Sequence, residues 1–200
     1  MAKRTQTKKQ RTTATWIKEI VIVFVCALAI AVVIKSFLID SRVVPSSSMY
    51  PTIEVGDRVL MWRLAYAFGN EPERGDIVVF EAPDELNESS DLIKRIIGLP
   101  GETVEVRGGA VYIDGELLDE DGYQHAIAEY EYGPVTVPDD CYFMLGDNRN
   151  RSVDSHEWDD PFIHIDDIKG KAIFRYWPIS RMDVITHTLT PLHTILAFRV

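Results

Sequence analysis

The stretch ETVEVRGGAVYIDGELL, residues 102–118, alternates β-forming and polar residues and is broken twice by turn pairs, Gly108-Gly109 and Asp114-Gly115. Period-two alternation puts every second side chain on one face of a strand. Glycine pairs and Asp-Gly supply the turns of tight hairpins. The reading is a meander of strand, turn, strand, turn and short strand. Further strands are expected on both sides. DRVLMW and GDIVVFEA are introduced by the Gly-Asp pairs at 56–57 and 75–76, LIKRIIG runs into the turn LPGE, and AIFRYW is ended by Pro178. The segment DEDGYQHAIAEYEYGPVTVPDD, residues 119–140, is acidic and aromatic with no helical period, and is read as a long loop or small insertion. No repeats are present, so the body is predicted to be mostly β.

Upstream of the body lies IVIVFVCALAIAVVI, residues 20–34, fifteen apolar residues without a break. A bilayer takes about 20 helical residues. Continuing to Ile39 supplies them, with Lys35 snorkelling to the headgroups. A buried core helix would show a polar face, and this run has none. A cleaved signal peptide shares the basic start and apolar middle, but KSFLIDSRVV offers no small-x-small site. The run is therefore read as an uncleaved anchor. Residues 1–34 hold six basic groups and one acid, which places the N-terminus in the cytoplasm and the body outside the cell membrane. The expected organisation is a basic cytoplasmic tail (1–18), a single-pass anchor (19–39), a β-rich domain (40–185) and a tail (186–200). That last tail has Thr, Pro and His spread through it and is no second span.

The whole chain carries a net charge of −10 over 200 residues. Setting residues 1–34 aside leaves 15 basic and 30 acidic groups, a net −15 for the rest. Nucleic acid is excluded as a partner, since phosphate binding needs concentrated Lys and Arg. The two cysteines, Cys26 and Cys141, fall in different phases, and neither a disulfide nor a zinc spacing follows. The cluster DSHEWDDPFIHIDD is read as a solvated acidic surface rather than a metal site, because it has no EF-hand or HExxH spacing.

Close to the anchor stands SRVVPSSSMYPT, residues 41–52, with three serines bracketed by Pro45 and Pro51. Proline fixes φ, so the serines can be held rigidly without a helix. A serine nucleophile needs a base and an oxyanion hole. None of the five histidines sits in a known frame, there is no GxSxG elbow, and no serine has lysine three residues later. A lysine can act as base when its amine is kept neutral by desolvation. Lys94 is a candidate, sharing a strand face with Leu92 and Ile96. The alternative, a strand-end lysine with its tip in solvent, stands beside it on this pattern alone.

Taken together, PSSSMYPT, GDRVL, RGDIVVF, IKRIIGLPGE, MLGDNRNRSVDSHEW and YWP resemble, in order and over residues 16–180, the conserved blocks of type I signal peptidases, the serine/lysine leader peptidases. The resemblance implies a β-rich extracytoplasmic catalytic domain on one N-terminal transmembrane helix. It implies that secretory preproteins are cut after small-x-small sites, with no cofactor or metal. Carried over by position, Ser48 is the nucleophile, Lys94 the general base, and Ser46 an oxyanion-hole hydroxyl. Ser152 orients the lysine, Asp154 supports that corner, and Val44 and Ile93 line shallow substrate pockets. Two positions depart from the family, which often has Asp at Asn150 and Arg, paired with the acid at Asp154, at His156. Two other readings are a self-cleaving Ser/Lys protease and a membrane-anchored peptide-binding module.

Overall fold

The computed structural model describes residues 13–86, 90–121 and 126–185. The first part of the basic tail, the tail 186–200, and His125, His187 and His193 lie outside them. The chain divides into two compact units, Met1–Leu38 and Ile39–Val200.

In the first unit, helix α1 spans Thr13–Val33 and runs into a π-helical turn, Ile34–Leu38. Residues Trp16–Leu38, 23 in all, form one helical stretch long and apolar enough to cross a membrane, and none of it is buried within the protein. At ~1.5 Å per residue that is about 35 Å, against roughly 30 Å of hydrocarbon. A Val- and Ile-rich helix satisfies all its backbone groups internally, which lipid demands.

The second unit is built from strands β1 (Ile39–Val43), β2 (Arg58–Trp62), β3 (Ile77–Phe80), β4 (Leu92–Gly98), β5 (Thr103–Arg107), β6 (Ala110–Ile113), β7 (Glu116–Leu117), β8 (Tyr132–Thr136), β9 (Cys141–Leu145), β10 (Phe162–His164), β11 (Ile168–Trp177) and β12 (Asp183–Val184). All pairings are antiparallel. The larger sheet runs β1-β2-β11-β3-β4-β9-β10, with β12 on β11, and the smaller runs β7-β6-β5-β8. The meander of residues 102–118 is β5–β7. Its turns hold Gly108 and Gly109 at φ 56° and 83°, and Asp114 and Gly115 at φ 52° and 83°. Left-handed φ at both central residues matches the twist of a two-residue hairpin.

The 119–140 segment, read as a long loop or small insertion, contains a strand, β8, paired to β5. Pro134 sits in that strand and hid it from the pattern. It is tolerated because β8 is an edge, where a missing N–H breaks no ladder. Strand β1 was hidden for a related reason: IDSRV is an edge strand with charged side chains.

Three clusters form the core. One gathers Val44, Met49, Ile53, Val59, Val79 and Ile93 under the serine segment. A second seals the smaller sheet against the larger through Ile97, Val104, Val106 and Phe143. The third holds Phe80, Ile96, Met144 and Trp158. Strand β4 lies between β3 and β9, and every residue from Ile93 to Gly98 is buried. A strand covered on both faces buries its polar residues with its apolar ones, so Lys94 and Arg95 are both inside. The solvent-tip reading of Lys94 is thereby excluded. The acidic stretch after residue 153 also departs from expectation. Asp154, Ser155, Trp158 and Ile163 are buried, so it is only in part a solvated surface.

Candidate active site

Ser48 sits in a turn that follows β1. Tyr50 N–H donates to Ser47 O at 3.1 Å and Ile53 N–H to Met49 O at 2.9 Å. Met49 and Ile53, four residues apart on one side of this turn, are fully buried. Two apolar anchors thus fix a segment whose composition reads as a polar linker. Ser48 is 5% exposed, and its Oγ lies 3.2 Å from Ser46 Oγ.

Lys94 is 3% exposed and donates from Nζ to Ser152 Oγ at 2.8 Å. Ser152 reaches it from the loop after β9, where residues 149–151 make one 3-10 turn. Gly146 decides how closely these parts meet. A Cβ there would fall 2.2 Å from Ser152 Oγ and 2.5 Å from Ser48 O. Only a residue with no side chain lets the serine turn and the lysine's partner approach from both sides. Asn148 completes the seam, its N–H donating to Ser48 O at 2.9 Å and its side chain to Ser47 O at 3.1 Å.

The face of β4 opposite Lys94 is an anchor. Arg95 makes a two-pronged pair with Asp147, Nε and Nη2 each 2.7 Å from a carboxylate oxygen, and both side chains are 1% exposed. Asp147 also accepts from Thr52 Oγ1 at 2.5 Å, and Arg95 donates to Gly75 O at 2.8 Å. The blocks carrying Ser48, Lys94 and Ser152 are therefore bolted together by their neighbours Thr52, Arg95 and Asp147. Buried Arg149 pairs with Glu120 and donates to Gly146 O, tying the 119–140 segment to the same loop.

Asp154 is fully buried and accepts from Gly146 N–H at 2.8 Å. His156 Nδ1 lies 2.6 Å from its other oxygen, and the imidazole stacks on Tyr130 at 3.8 Å between centroids. Desolvation, then the Asp154 carboxylate, pushes the Tyr130 hydroxyl well above its ordinary range, so it stays protonated. The two departures from the family pattern thus both have partners. His156 meets Asp154 directly, and Asn150 bonds the 119–140 segment by accepting from Glu129 N–H and donating to Ile127 O.

Val44 and Ile93 line one cavity of about 630 Å³, floored by Val59 and Val79. Its outer part is charged. Arg42 reaches Asp91 at 3.1 Å and Asp40 at 3.0 Å, and Lys169 reaches Asp91 at 2.6 Å and Glu81 at 3.2 Å. The bond to Asp91 is the main cause holding the Lys169 ammonium above the usual lysine range. Of the residues singled out from sequence, Ser48, Ser152 and Asp154 meet at Gly146, with Ser46 against Ser48 and Lys94 against Ser152, while Val44 and Ile93 face the adjoining cavity. The sequence reading did not assign Gly146, Arg95, Asp147 or Tyr130. Only the pairing of Arg95 and Asp147 with their candidate neighbours in the motif blocks pointed to them.

The chain is similar to several known proteins. A probable signal peptidase I-2 from Synechocystis sp. is 46% identical over 175 residues, covering 86% of this chain and 78% of the relative. A signal peptidase I from Leptolyngbya laminosa is 43% identical over 161 residues, covering 78% and 77%. A probable signal peptidase I-1 from Synechocystis sp. is 42% identical over 187 residues, covering 90% and 93%. The family model described as signal peptidase, peptidase S26, matches residues 16–177, which include every residue of the site. With its serine turn, buried lysine and adjoining cavity all inside that match, the chain belongs to the signal peptidase S26 family.

Proposed function

We propose that this protein is a membrane-anchored serine endopeptidase that removes signal peptides from translocated preproteins, with Ser48 and Lys94 as its catalytic pair. The observation that carries the reading is the burial of Lys94 against the Ser152 hydroxyl, across Gly146 from the backbone of Ser48. A buried amine with a hydroxyl neighbour is favoured in its neutral form, the form a general base needs.

The preprotein's cleavage region lies extended in the cleft between residues 41–45 and 90–93, adding main-chain hydrogen bonds to the exposed backbone there. Small side chains at the first and third positions before the scissile bond turn into the cavity by Val44 and Ile93. Lys94 takes the proton of Ser48 Oγ, which attacks the carbonyl carbon. The oxyanion is held by the N–H of Ser48 and the hydroxyl of Ser46. Protonated Lys94 then gives its proton to the leaving amine. Water activated by neutral Lys94 hydrolyses the acyl-enzyme and frees Ser48. Ser152 keeps the amine aimed, and Asp154 supports the loop through Gly146. These residues supply every proton transfer, so the cycle uses no cofactor or metal.

The helix of Trp16–Leu38 anchors the protein in a single pass, with the basic N-terminus in the cytoplasm and the catalytic domain outside. Ser48 follows Leu38 by ten residues in the sequence.

The test is cleavage of a purified preprotein carrying an Ala-x-Ala site, in detergent, by wild type and Lys94→Ala. Wild type is expected to cut after the second alanine and Lys94→Ala to fall to background. A Lys94→Ala protein that cuts as fast as wild type would show that lysine is not the base. A folded wild type that cuts nothing would favour a peptide-binding module.

A further inference from the structure

The two walls of the cleft are joined at their outer end. Arg42 stands on β1 and Asp91 immediately precedes β4, strands separated in the larger sheet by β2, β11 and β3. Their 3.1 Å ion pair therefore joins strands that are not neighbours in the sheet, and both residues line the cavity. Lys169, on the intervening β11, holds the same carboxylate from below at 2.6 Å.

The register of this crossing matters. Arg42 precedes Val44 by two residues and Asp91 precedes Ile93 by two. In extended chain, residues two apart share a face and stand about 6.6–7 Å apart. A bound peptide has the same spacing, and its first and third side chains before the scissile bond share a face. When the first lies against Val44 and Ile93, the third lies beside Arg42 and Asp91.

We propose that the Arg42–Asp91 pair is a strap over the outer end of the cleft, and that Arg42 and Asp91 set how large a side chain the preprotein can carry at the third position. The inference rests on the peptidase reading and deepens it. An apolar wall can give way to a branched side chain by small shifts. A strap must be displaced, which breaks an ion pair and leaves Arg42 and Asp91 facing an apolar group. Both strap residues are partly exposed, 40% and 16% by side chain, so the barrier is modest and screened by salt.

The test uses the full-length protein in detergent and two preproteins differing only in alanine or leucine at the third position. The quantity read is the ratio of their kcat/KM values. In Arg42→Ala and in Asp91→Asn the preference for alanine should shrink by about three- to fivefold, the most a partly exposed ion pair gives. The double variant should shrink it no further, because both act through one contact. Arg42→Lys should keep most of the preference. Raising salt from low to high should narrow the ratio in wild type and leave it unmoved in Arg42→Ala. If the variants cut the alanine preprotein but keep the wild-type ratio, the strap is overturned and the peptidase reading stands. A double variant showing the sum of the single effects also overturns it. If wild type cuts neither preprotein, the peptidase reading falls and takes the strap with it.

Discussion

At the inner end of the site, beside the cavity rather than lining it, Lys94 is 3% exposed and bonded to the Ser152 hydroxyl, while at the outer end Lys169 lines the cavity, has 36% of its side chain in solvent and sits between two carboxylates. The ion pairs behind the two ends differ in the same way. Arg95–Asp147 is buried at 1% on both sides, whereas Arg42–Asp91 is half in water. One residue type thus stands in two environments, set apart by burial and by partner. Removed from water, a lysine is pressed toward the neutral form and can move a proton. In water beside carboxylates it stays charged and can only attract. The same rule separates the ion pairs, because a buried pair is costly to break and an exposed one is weak.

The largest effect should come from the inner end itself. Ser48→Ala and Lys94→Ala are each expected to lower preprotein cleavage by at least ~10³-fold, measured on protein whose folding is checked by circular dichroism. A loss of less than tenfold in either would break the division of labour. Next comes the buried anchor. Asp147→Ala leaves Arg95 inside without its carboxylate and should cost about 3–5 kcal/mol of stability in denaturant unfolding. Asp91→Ala at the rim should cost no more than ~1 kcal/mol. Equal costs would mean that burial does not distinguish the two pairs. Gly146→Ala drives a methyl into Ser152 Oγ and the Ser48 carbonyl. It is expected to cost ~1–3 kcal/mol and to depress kcat more than it raises KM, which steady-state kinetics will separate.

The smallest effect concerns pH. Lys169 is held above its ordinary range in the folded protein, so its contribution to stability is complete below the unfolded lysine value, near ~10.4. That contribution is lost as pH rises through the higher folded value. Its exposure keeps the contribution small. Across pH 6 to 9 the outer end therefore stays charged, and any rise in activity with pH belongs to the inner end. Lys169→Met should show the same pH-rate slope as wild type, and a flattened slope would assign the titration to the rim.

Much of this layout was readable in the sequence, because hairpin turns and candidate site residues are local. Gly108-Gly109 and Asp114-Gly115 announce the meander in two residues each. The stretch PSSSMYPT carries the serine and both prolines within eight. What stayed hidden is what depends on partners distant in the chain. Lys94 could be read as buried or as solvent-tipped, because alternation along β4 cannot show that the strand is central in its sheet and that the Ser152 loop covers the lysine. Strand β8 was masked by Pro134, which is tolerated only at a sheet edge that no local pattern reveals. The stretch read as an acidic surface contains the buried Asp154, whose place follows from its bond to Gly146 rather than from its neighbours in sequence.

The seam around Gly146 also joins segments that lie far apart in the chain. Lys94 and Ser152 are separated by 58 residues, and Ser47 and Asn148 by 101. Contacts of such long range close late, after the chain between them has been ordered. A partly synthesised or partly folded chain carries the serine turn and the β4 lysine but lacks the loop that brings them into register. The candidate residues are therefore brought into register only when these distant segments have closed on one another.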